Sequence, residues 1–450
     1  MGYHKIGLTS NPKRRNTMKK FVTIVSILIL ACIFVFANGS TESTQAQDSG
    51  NKTIAMTWWG DTKRNEVYCN VIAEFMKANP NITVETPYST WANYFDKLST
   101  QIAGGAAPDV IGMHQRYVSE YASRGALADL QPYVDKGIID LSDIPESVVN
   151  AGRVNGVLYM LPQGISGSGV SYYTSVFDEL GVEYPDANWT WDQYVETLDE
   201  LKKAADEKGK KNFWPSTDFS YDFYNFSYWA RTNGQTLFTE DGQLGFTKET
   251  LISWLEFWKD LRNKGYITDA ATTVEYTDIA LEQSLMATHK VAVSVMPISQ
   301  VVKYEILVSE GEYHLVRFPR LAGGKDPEYL SGAFYTLNSK SKNPDEAAAL
   351  INFFINDPTG QAIYKQEQGM PPANSAVEMI KANANRAETE SIKFVQELLI
   401  PNATPEPYPP AGYNEINSNF KNIATAVSFG EKTPEAAANE FFEICKGILN

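Results

Sequence analysis

The sequence predicts an α/β protein with two domains, and three observations lead to that prediction. From residue 53 onwards, segments with strand character alternate with segments whose apolar residues have helical spacing. About 413 residues remain after the leader described below (450 minus 37), enough for two domains with sizeable cores. No repeat with a period of roughly 20 to 50 residues is apparent, which disfavours a solenoid. We therefore expect parallel-rich mixed sheets flanked by helices.

The amino-terminal part of this pattern contains three strand candidates separated by two helix candidates. In chain order these are the strand 53–59, the helix carrying Val67 to Phe75, the strand 82–86, the helix carrying Phe95 to Ile102 and the strand 109–113. Asn79-Pro80 ends the first helix and Gly104-Gly105 ends the second. This alternation indicates a parallel sheet with covered faces.

Later helices carry recognisable start signals. Thr190-Trp191-Asp192-Gln193 has the spacing of a capping box, and Leu251 to Leu261 outlines another helix. Asn343-Pro344 and Thr433-Pro434 each place a capping residue before a proline at the first helical position. Each of these two sites is followed by apolar residues on one helix face.

A Gly/Ser-rich segment at 164–169 follows the strand-like residues 159–162. It lacks the Gly-x-Ser-x-Gly spacing of a nucleophile elbow, so a flexible connection is the interpretation we adopt. Because glycine changes its backbone torsions at little cost, the segment is a candidate hinge.

Residues 1–37 have the pattern of a signal peptide. Two lysines precede an apolar stretch at 21–36, and small residues at Val35 and Ala37 fit cleavage before Asn38. Residues 1–17 are an extended start or lie upstream of a true start at Met18. A lipoprotein box ending at Cys32 and a retained membrane anchor are alternative interpretations. Residues 38–51 are polar and lack periodicity, as expected of a flexible tether.

Composition excludes several classes of protein. The chain carries 39 basic and 54 acidic residues, and removal of six basic leader residues leaves a mature charge of about −21 (33 minus 54). Such a charge repels nucleic acid and anionic membranes. Only Cys69 and Cys445 survive processing, and the whole chain has four histidines without metal-ligand spacing. No phosphate loop or dinucleotide motif occurs, so we expect neither metal nor cofactor.

Aromatic residues are frequent, at 12% of the chain, and several lie in polar, loop-like contexts. Trp58-Trp59-Gly60-Asp61 ends the first strand, and residues 88–94 and 219–224 are similar places. Aromatic faces stack on the C–H faces of sugar rings, while neighbouring acids and amides bond to hydroxyls. On a strand Trp58 and Trp59 face opposite ways, so we expect one to pack and the other to face outward.

A secreted carbohydrate-active enzyme is the alternative to a binding protein. A glycosidase needs two acids positioned across the sugar. With 54 acidic residues, pairs are always available, but none has a recognisable motif around it. We therefore predict no catalytic residue.

Several segments in order resemble the sugar-binding family of extracellular solute-binding proteins of bacterial ABC importers, which includes maltose-binding protein. The resemblance runs from about residue 53 to 448 and is carried by Trp58-Trp59-Gly60-Asp61, by residues 94–111 with Gly104-Gly105 and Pro108-Asp109, by Trp189-Thr190-Trp191-Asp192, and by Asn343-Pro344-Asp345-Glu346.

The resemblance implies a two-lobed periplasmic binding protein fold with the ligand cleft at the hinge. It places one lobe at 52–161 plus 326–372 and the other at 162–325 plus 373–450. It also implies a monomer that is exported to the periplasm or cell surface and delivers its ligand to membrane permease subunits without chemistry. Since Cys69 and Cys445 fall in different lobes, we expect two free thiols.

The same resemblance implies a set of ligand-binding residues in both lobes. These are Trp59, Asp61, Trp91, Met113, His114, Gln115, Tyr173, Tyr221, Gly332 and Tyr413. Thr174 replaces an asparagine that is frequent beside Tyr173 in the family, and Met296-Pro297-Ile298-Ser299 stands where many members have a tryptophan.

The expected ligand is a carbohydrate. Aromatic loops on an acidic protein favour a neutral sugar over an anion. Polyamines and glycerol phosphates are alternatives within the same fold, and a sensor that presents its ligand to a chemoreceptor is an alternative role.

Overall fold

A computed structural model of the chain describes residues 50–277, 279–403 and 407–449. The predicted leader at 1–37 and most of the tether at 38–51 lie outside these ranges. Within them, no helix has both the length and the apolar character required to cross a membrane.

The strands are short and spread along the whole chain. In order they are β1 Lys52–Trp59, β2 Ile82–Glu85, β3 Tyr88–Ser89, β4 Val110–His114, β5 Arg153–Val154, β6 Val157–Leu158, β7 Leu161–Pro162, β8 Ser168–Tyr173, β9 Trp214–Ser216, β10 Val291–Pro297, β11 Tyr313–Val316 and β12 Ala333–Leu337.

Helices connect and cover the strands. In order they are α1 Thr62–Ala78, α2 Trp91–Ala103, α3 Gln115–Ser123, α4 Gln131–Asp135, α5 Glu146–Asn150, α6 Thr174–Leu180, α7 Trp191–Glu207, α8 Phe223–Thr232, α9 Lys248–Asn263, α10 Ala270–Glu275, α11 Gln300–Glu305, α12 Pro344–Asn356, α13 Pro358–Tyr364, α14 Asn374–Lys381, α15 Arg386–Lys393, α16 Ile400–Asn402, α17 Tyr413–Ser428 and α18 Pro434–Leu449.

The first sheet has the strand order β2-β1-β4-β12-β7, with β3 paired to the end of β1. Strands β2, β3 and β4 pair with β1 in parallel, whereas β12 runs antiparallel to β4 and β7. The parallel part is the strand and helix alternation that the sequence predicts, because each parallel step needs a helical crossover.

The second sheet has the order β11-β8-β10-β9. Both β10 and β11 are antiparallel to β8, and β9 is parallel to β10. Mixed sheets flanked by helices are therefore confirmed, although parallel pairing predominates in the first sheet alone.

Neighbouring chain segments connect the two sheets. The Gly/Ser-rich segment after β7 leads into β8, and Ile165 and Ser166 form antiparallel bridges to Met370 and Ser331. Ser331 lies two residues before the start of β12, so the chain returns to the first sheet beside the point where it leaves. The predicted hinge thus lies where these segments are hydrogen-bonded to each other.

The helix start signals are mostly confirmed. Thr190 and Gln193 form a capping box at α7, and the Thr433 hydroxyl accepts a hydrogen bond from the Ala436 N–H at 3.2 Å. Asn343 is the N-cap residue of α12, as predicted, but its side chain makes no capping hydrogen bond. Its amide instead donates to the Thr53 carbonyl oxygen at 3.0 Å, which ties the helix start to β1.

The hydrophobic core explains the first of the paired tryptophans. Trp58 is fully buried and stacks on Tyr68 with ring centroids 4.6 Å apart. The Tyr68 hydroxyl donates to the Gln163 side chain at 2.6 Å. As expected, Cys69 and Cys445 are free thiols.

Candidate functional site

A cavity of about 390 Å³, the central cavity, lies where the strand ends of the two sheets face each other. Trp59 ends β1, His114 ends β4 and Ala333 begins β12, while Ser168 begins β8 and Pro297 ends β10. The carboxyl ends of parallel strands are where α/β proteins bind ligands. The remaining lining residues are Arg64, Trp91, Arg116, Ser166, Gly167, Tyr224, Ser299, Gln300, Lys303, Ser331, Gly332 and Gln368.

Two indole rings form one wall of the central cavity. Trp59 and Trp91 meet edge to face with centroids 5.1 Å apart. Trp59 is 6% exposed and is held by Tyr94 and Phe95, whereas Trp91, the first residue of α2, is 39% exposed. Trp91 therefore offers the accessible ring face, and Trp59 supports it.

His114 lies beside these rings as a neutral imidazole. Its ring centroid is 5.6 Å from that of Trp91, and its Nδ1 accepts the Arg116 N–H at 3.3 Å as the cap of α3. Burial, together with the positive charge of Arg116, lowers the pKa of His114 well below its usual value. The remaining ring N–H is thus available as a donor.

Arg116 follows two residues later and is a partly buried cation of the cavity. Its guanidinium carbon lies 3.9 Å from the centroid of the Tyr224 ring, a cation–π contact. Burial lowers the pKa of Arg116, but the electrostatic influence of Tyr413, Asp222 and Tyr224 raises it by more. The side chain therefore stays charged.

Arg64 and Lys303 approach the cavity from the two sides. Arg64 Nε lies 2.7 Å and Lys303 Nζ 2.9 Å from the same atom, Oε1 of Glu367. Arg64 belongs to α1 beside the first sheet, and Lys303 belongs to α11, which follows the second-sheet strand β10. This shared ion pair connects elements of both sheets.

Two further cavities adjoin the central one through Tyr224. One, of about 380 Å³, extends along Asp218, Tyr221 and Asp222, and the other, of about 400 Å³, along Gln115 and Tyr413. The Tyr408 hydroxyl, which lines the second of these, donates to the Ala151 carbonyl oxygen. The binding space is therefore a branched cleft.

The structure brings together Trp59, Trp91, His114 and Gly332 around the central cavity. A Cβ atom on Gly332 would lie 2.7 Å from the Gly164 carbonyl oxygen, so the close approach of two connecting segments requires glycine here. Gln115, Tyr413 and Tyr221 line the adjoining cavities rather than the central one.

Asp61, Met113 and Tyr173 line none of these cavities. The exposed Asp61 carboxylate accepts the Arg64 N–H at 2.8 Å as the cap of α1. Met113 is fully buried beside Ile111, since alternate residues of β4 share a face. Tyr173 lies five residues beyond Ser168, about 17 Å along β8, and packs between His289 and Tyr313. The structure therefore does not place these three residues beside the central cavity or the two cavities that adjoin it.

Sequence reasoning missed Arg64, Arg116, Lys303 and Gln300, and it marked Tyr224 only as part of the aromatic segment 219–224. Arg116 directly follows the predicted pair His114 and Gln115, so the end of β4 gave a local signal for it. Arg64, Lys303 and Gln300 come from helices far apart in the chain, and no local pattern marks them.

The chain matches the family model of the bacterial extracellular solute-binding protein over residues 62–361. It is similar to an extracellular solute-binding protein family 1 structure from Alicyclobacillus acidocaldarius, at 30% identity and a TM-score of 0.67 over 89% of this chain and 99% of the other. A periplasmic oligogalacturonide binding protein from Yersinia enterocolitica, in complex with saturated digalacturonic acid, has 22% identity and a TM-score of 0.76 over 88% and 100%.

A multiple sugar-binding protein of Streptococcus mutans is 25% identical over 203 residues, 44% of this chain and 41% of the relative. The family model covers most of the folded part, and the Alicyclobacillus protein aligns over nearly its whole length. The chain therefore belongs to the family of bacterial extracellular solute-binding proteins.

Proposed function

We propose that this protein is an extracytoplasmic receptor that binds a carbohydrate in its central cavity and delivers it to the permease of an ABC importer. The observation that carries the proposal is the lining of the cavity. An exposed indole, Trp91, is combined there with hydroxyl and amide side chains such as Ser168, Gln300 and Gln368. Aromatic faces and polar side chains of this kind complement the two faces and the hydroxyls of a sugar.

Two related proteins add support through their names. The Streptococcus mutans relative is called a multiple sugar-binding protein, and the Yersinia enterocolitica structure contains digalacturonic acid. A sugar is accordingly the first ligand class to test.

The proposed mechanism is closure about the connecting segments near residues 163–168, 331 and 370. The proposed lobes are 52–161 plus 326–372 and 162–325 plus 373–450. A ligand that touches both lobes only in the closed form shifts the open-closed equilibrium toward closure. The permease then distinguishes the closed, loaded receptor from the open one.

Binding without turnover fits the charges of the cleft better than hydrolysis does. The charged side chains lining the central cavity, within the described ranges, are cations. In the adjoining cavity, Asp218 pairs with Arg262 and Asp222 caps α8. A glycosidase needs one acid free to donate a proton and a second free to attack or activate water.

The test is a ligand screen on purified residues 38–450. Intrinsic tryptophan fluorescence and melting temperature are measured with mono- and oligosaccharides, sn-glycerol 3-phosphate, polyamines and amino acids. A saccharide that changes the fluorescence and raises the melting temperature is the expected result, because Trp59 and Trp91 line the cavity.

Prolonged incubation with the bound saccharide separates receptor from enzyme. Recovery of the intact sugar by chromatography supports the receptor. Consumption of the sugar contradicts it, and binding of polyamines or amino acids alone contradicts the proposed ligand class while leaving the family assignment intact.

A further inference from the structure

The central cavity has a charge opposite to that of the whole chain. Acidic residues outnumber basic ones by 54 to 39 in the sequence. Yet the charged residues that line this cavity, in the part of the chain that the structure describes, are Arg64, Arg116 and Lys303. The expectation from composition, that an acidic protein favours a neutral sugar, does not take account of this local concentration of positive charge.

Arg116 carries a positive charge without an ion-pair partner among the described residues. Its Nε is buried and makes no hydrogen bond within those ranges. The contact with the Tyr224 ring face is electrostatic and leaves the guanidinium N–H donors unused. A buried donor without an acceptor costs free energy, because it has given up its hydrogen bonds to water. A ligand oxygen that accepts from this N–H would remove that cost.

The second positive charge comes from the ion pair shared by Arg64, Lys303 and Glu367. Both cations contact the same carboxylate oxygen, at 2.7 and 2.9 Å, so two positive charges face one negative charge. Arg64 is further engaged with backbone oxygens of Trp59 and Glu367, whereas Lys303 is 31% exposed and keeps free ammonium donors toward the cavity.

Two acids near these cations are already engaged elsewhere. Asp61 accepts the Arg64 N–H at the start of α1, and Asp222 accepts the Asn225 N–H at 3.0 Å at the start of α8. Carboxylates at helix N-termini are stabilised by the N–H groups and dipole of the helix. Asp222 contributes to the electrostatic surroundings of Arg116, but neither carboxylate forms an ion pair with it in the described part of the chain.

We propose that the ligand of the central cavity is a saccharide that bears a carboxylate, such as a uronic acid or its oligomer. The carboxylate binds the Arg116 guanidinium, with Lys303 as a second positive charge, and the sugar ring stacks on Trp91. Arginine is suited to this role because its planar fork matches both oxygens of a carboxylate. This inference rests on the proposed function, since it names the class of sugar bound at the same site.

The test compares ligands that differ in charge alone. Isothermal titration calorimetry on residues 38–450 uses galacturonic acid oligomers of increasing length, their methyl esters and the corresponding galactose oligomers. Because a hydrogen bond to a charged group contributes more than a neutral one, the acids should bind about 10- to 100-fold more tightly than the esters. Rising salt should weaken binding of the acids and leave that of the esters unchanged.

Variants assign the effect to Arg116. R116Q should reduce affinity for the acid about 10- to 100-fold and change affinity for the ester little, and R116K should restore part of it. R124Q is the matched control, since Arg124 is 60% exposed and pairs with Glu120 on the same helix region. K303Q is a second variant for the case that R116Q folds poorly. The Lys303 side chain is 31% exposed, and its loss should also lower the affinity for the acid.

E367Q tests the same charges in the opposite direction. It removes the negative charge that Arg64 and Lys303 share, so it should strengthen binding of the acid relative to the ester. A gain in affinity is not expected from a variant that merely disturbs packing.

The outcomes separate this inference from the proposed function. If the acids, their esters and the galactose oligomers bind with equal affinity, and R116Q has the same affinities as R124Q, the ligand is not recognised through a carboxylate. The proposed sugar receptor is unaffected by that result. Binding of sn-glycerol 3-phosphate or inorganic phosphate without any saccharide overturns both. Preferential binding of the acids, lost in R116Q and strengthened in E367Q, supports both.

Discussion

At the scale of single residues, neighbouring side chains on β1 have different roles because successive strand residues face opposite sides of a sheet. Trp58 is fully buried against Tyr68 in the core. Trp59 is nearly buried as well and lines the central cavity only as the support of Trp91. The accessible ring thus belongs to the next segment of the chain rather than to β1.

Trp91 should contribute more to binding than to stability. Trp91 is 39% exposed but packs against four neighbouring rings, so W91A should lower the urea midpoint modestly while affinity for the ligand found in the screen falls about tenfold. Calorimetric titration measures the affinity. F429A is the control, since Phe429 is 50% exposed but outside the described cavities. Equal affinities of W91A and the unmodified protein would exclude Trp91 from the site.

At the scale of helices and strands, caps and cross-element ion pairs hold the framework on which the site depends. The capping box of α7 satisfies N–H groups at the helix start through Thr190 and Gln193. The α15 helix is joined to β11 by Glu390, which accepts the Leu315 N–H at 2.7 Å and contacts His314. Both features lie away from the central cavity, so their effects should appear in stability rather than in binding.

Loss of the α7 cap should destabilise the protein by a small, defined amount. T190A should lower the free energy of unfolding by about 1 kcal/mol, because the N–H of Gln193 loses its side-chain acceptor. T190S keeps the hydroxyl and should retain most of the stability. Urea denaturation of the two variants measures the difference. A midpoint for T190A no lower than that for T190S would refute a stabilising cap.

His314 should make stability depend on pH. The pKa of His314 is raised above its usual value, because the hydrogen bond to Glu390 raises it by more than burial lowers it. The positive charge of Arg386 lowers this pKa, and the hydrogen bond to Glu312 raises it. The folded state therefore favours the protonated ring. This stabilisation is complete below the unfolded pKa, about 6.5, and is lost as pH rises through the folded pKa.

Urea midpoints at several pH values between about 6 and 9 measure this effect. The unmodified protein should lose stability as the pH rises through the pKa that His314 has in the folded state. H314Q and E390Q should each lose that component, the first because it cannot titrate and the second because the partner is gone. A pH dependence that is identical in all three proteins would show that this pair does not cause it.

At the scale of the whole molecule, the cleft lies between two sheets joined by neighbouring chain segments. Contacts across it include the Lys303 to Glu367 ion pair at 2.9 Å and the Tyr117 to Tyr413 ring contact at 6.0 Å. Interfaces of this kind open and close more readily than a continuous apolar core.

Ligand binding should make the molecule more compact and more stable. Small-angle scattering should show a lower radius of gyration with saturating ligand, because closure brings the two sheets together around it. At a ligand concentration of about 100 times the Kd, the free energy of unfolding should rise by about 2.7 kcal/mol. A higher melting temperature with an unchanged radius of gyration would favour a cleft that is already closed before binding.

Local patterns in the sequence determined much of this protein. Strand and helix alternation predicted the first sheet, and the cap and proline signals located helix starts. Such features succeed because each depends on residues close together in the chain. Asn343 is the N-cap residue of α12 as predicted, but its side-chain amide donates to the carbonyl oxygen of the distant Thr53, a contact that no local pattern indicates.

Only the tertiary structure decided which charges meet in the cleft. Arg64, Arg116 and Lys303 belong to three helices, and Glu367 belongs to none of them, yet they converge beside one cavity. Overall composition indicated an acidic protein and a neutral ligand, because net charge averages over the surface. The local potential that a ligand meets depends instead on distances between residues far apart in the chain, which the folding of the two sheets sets.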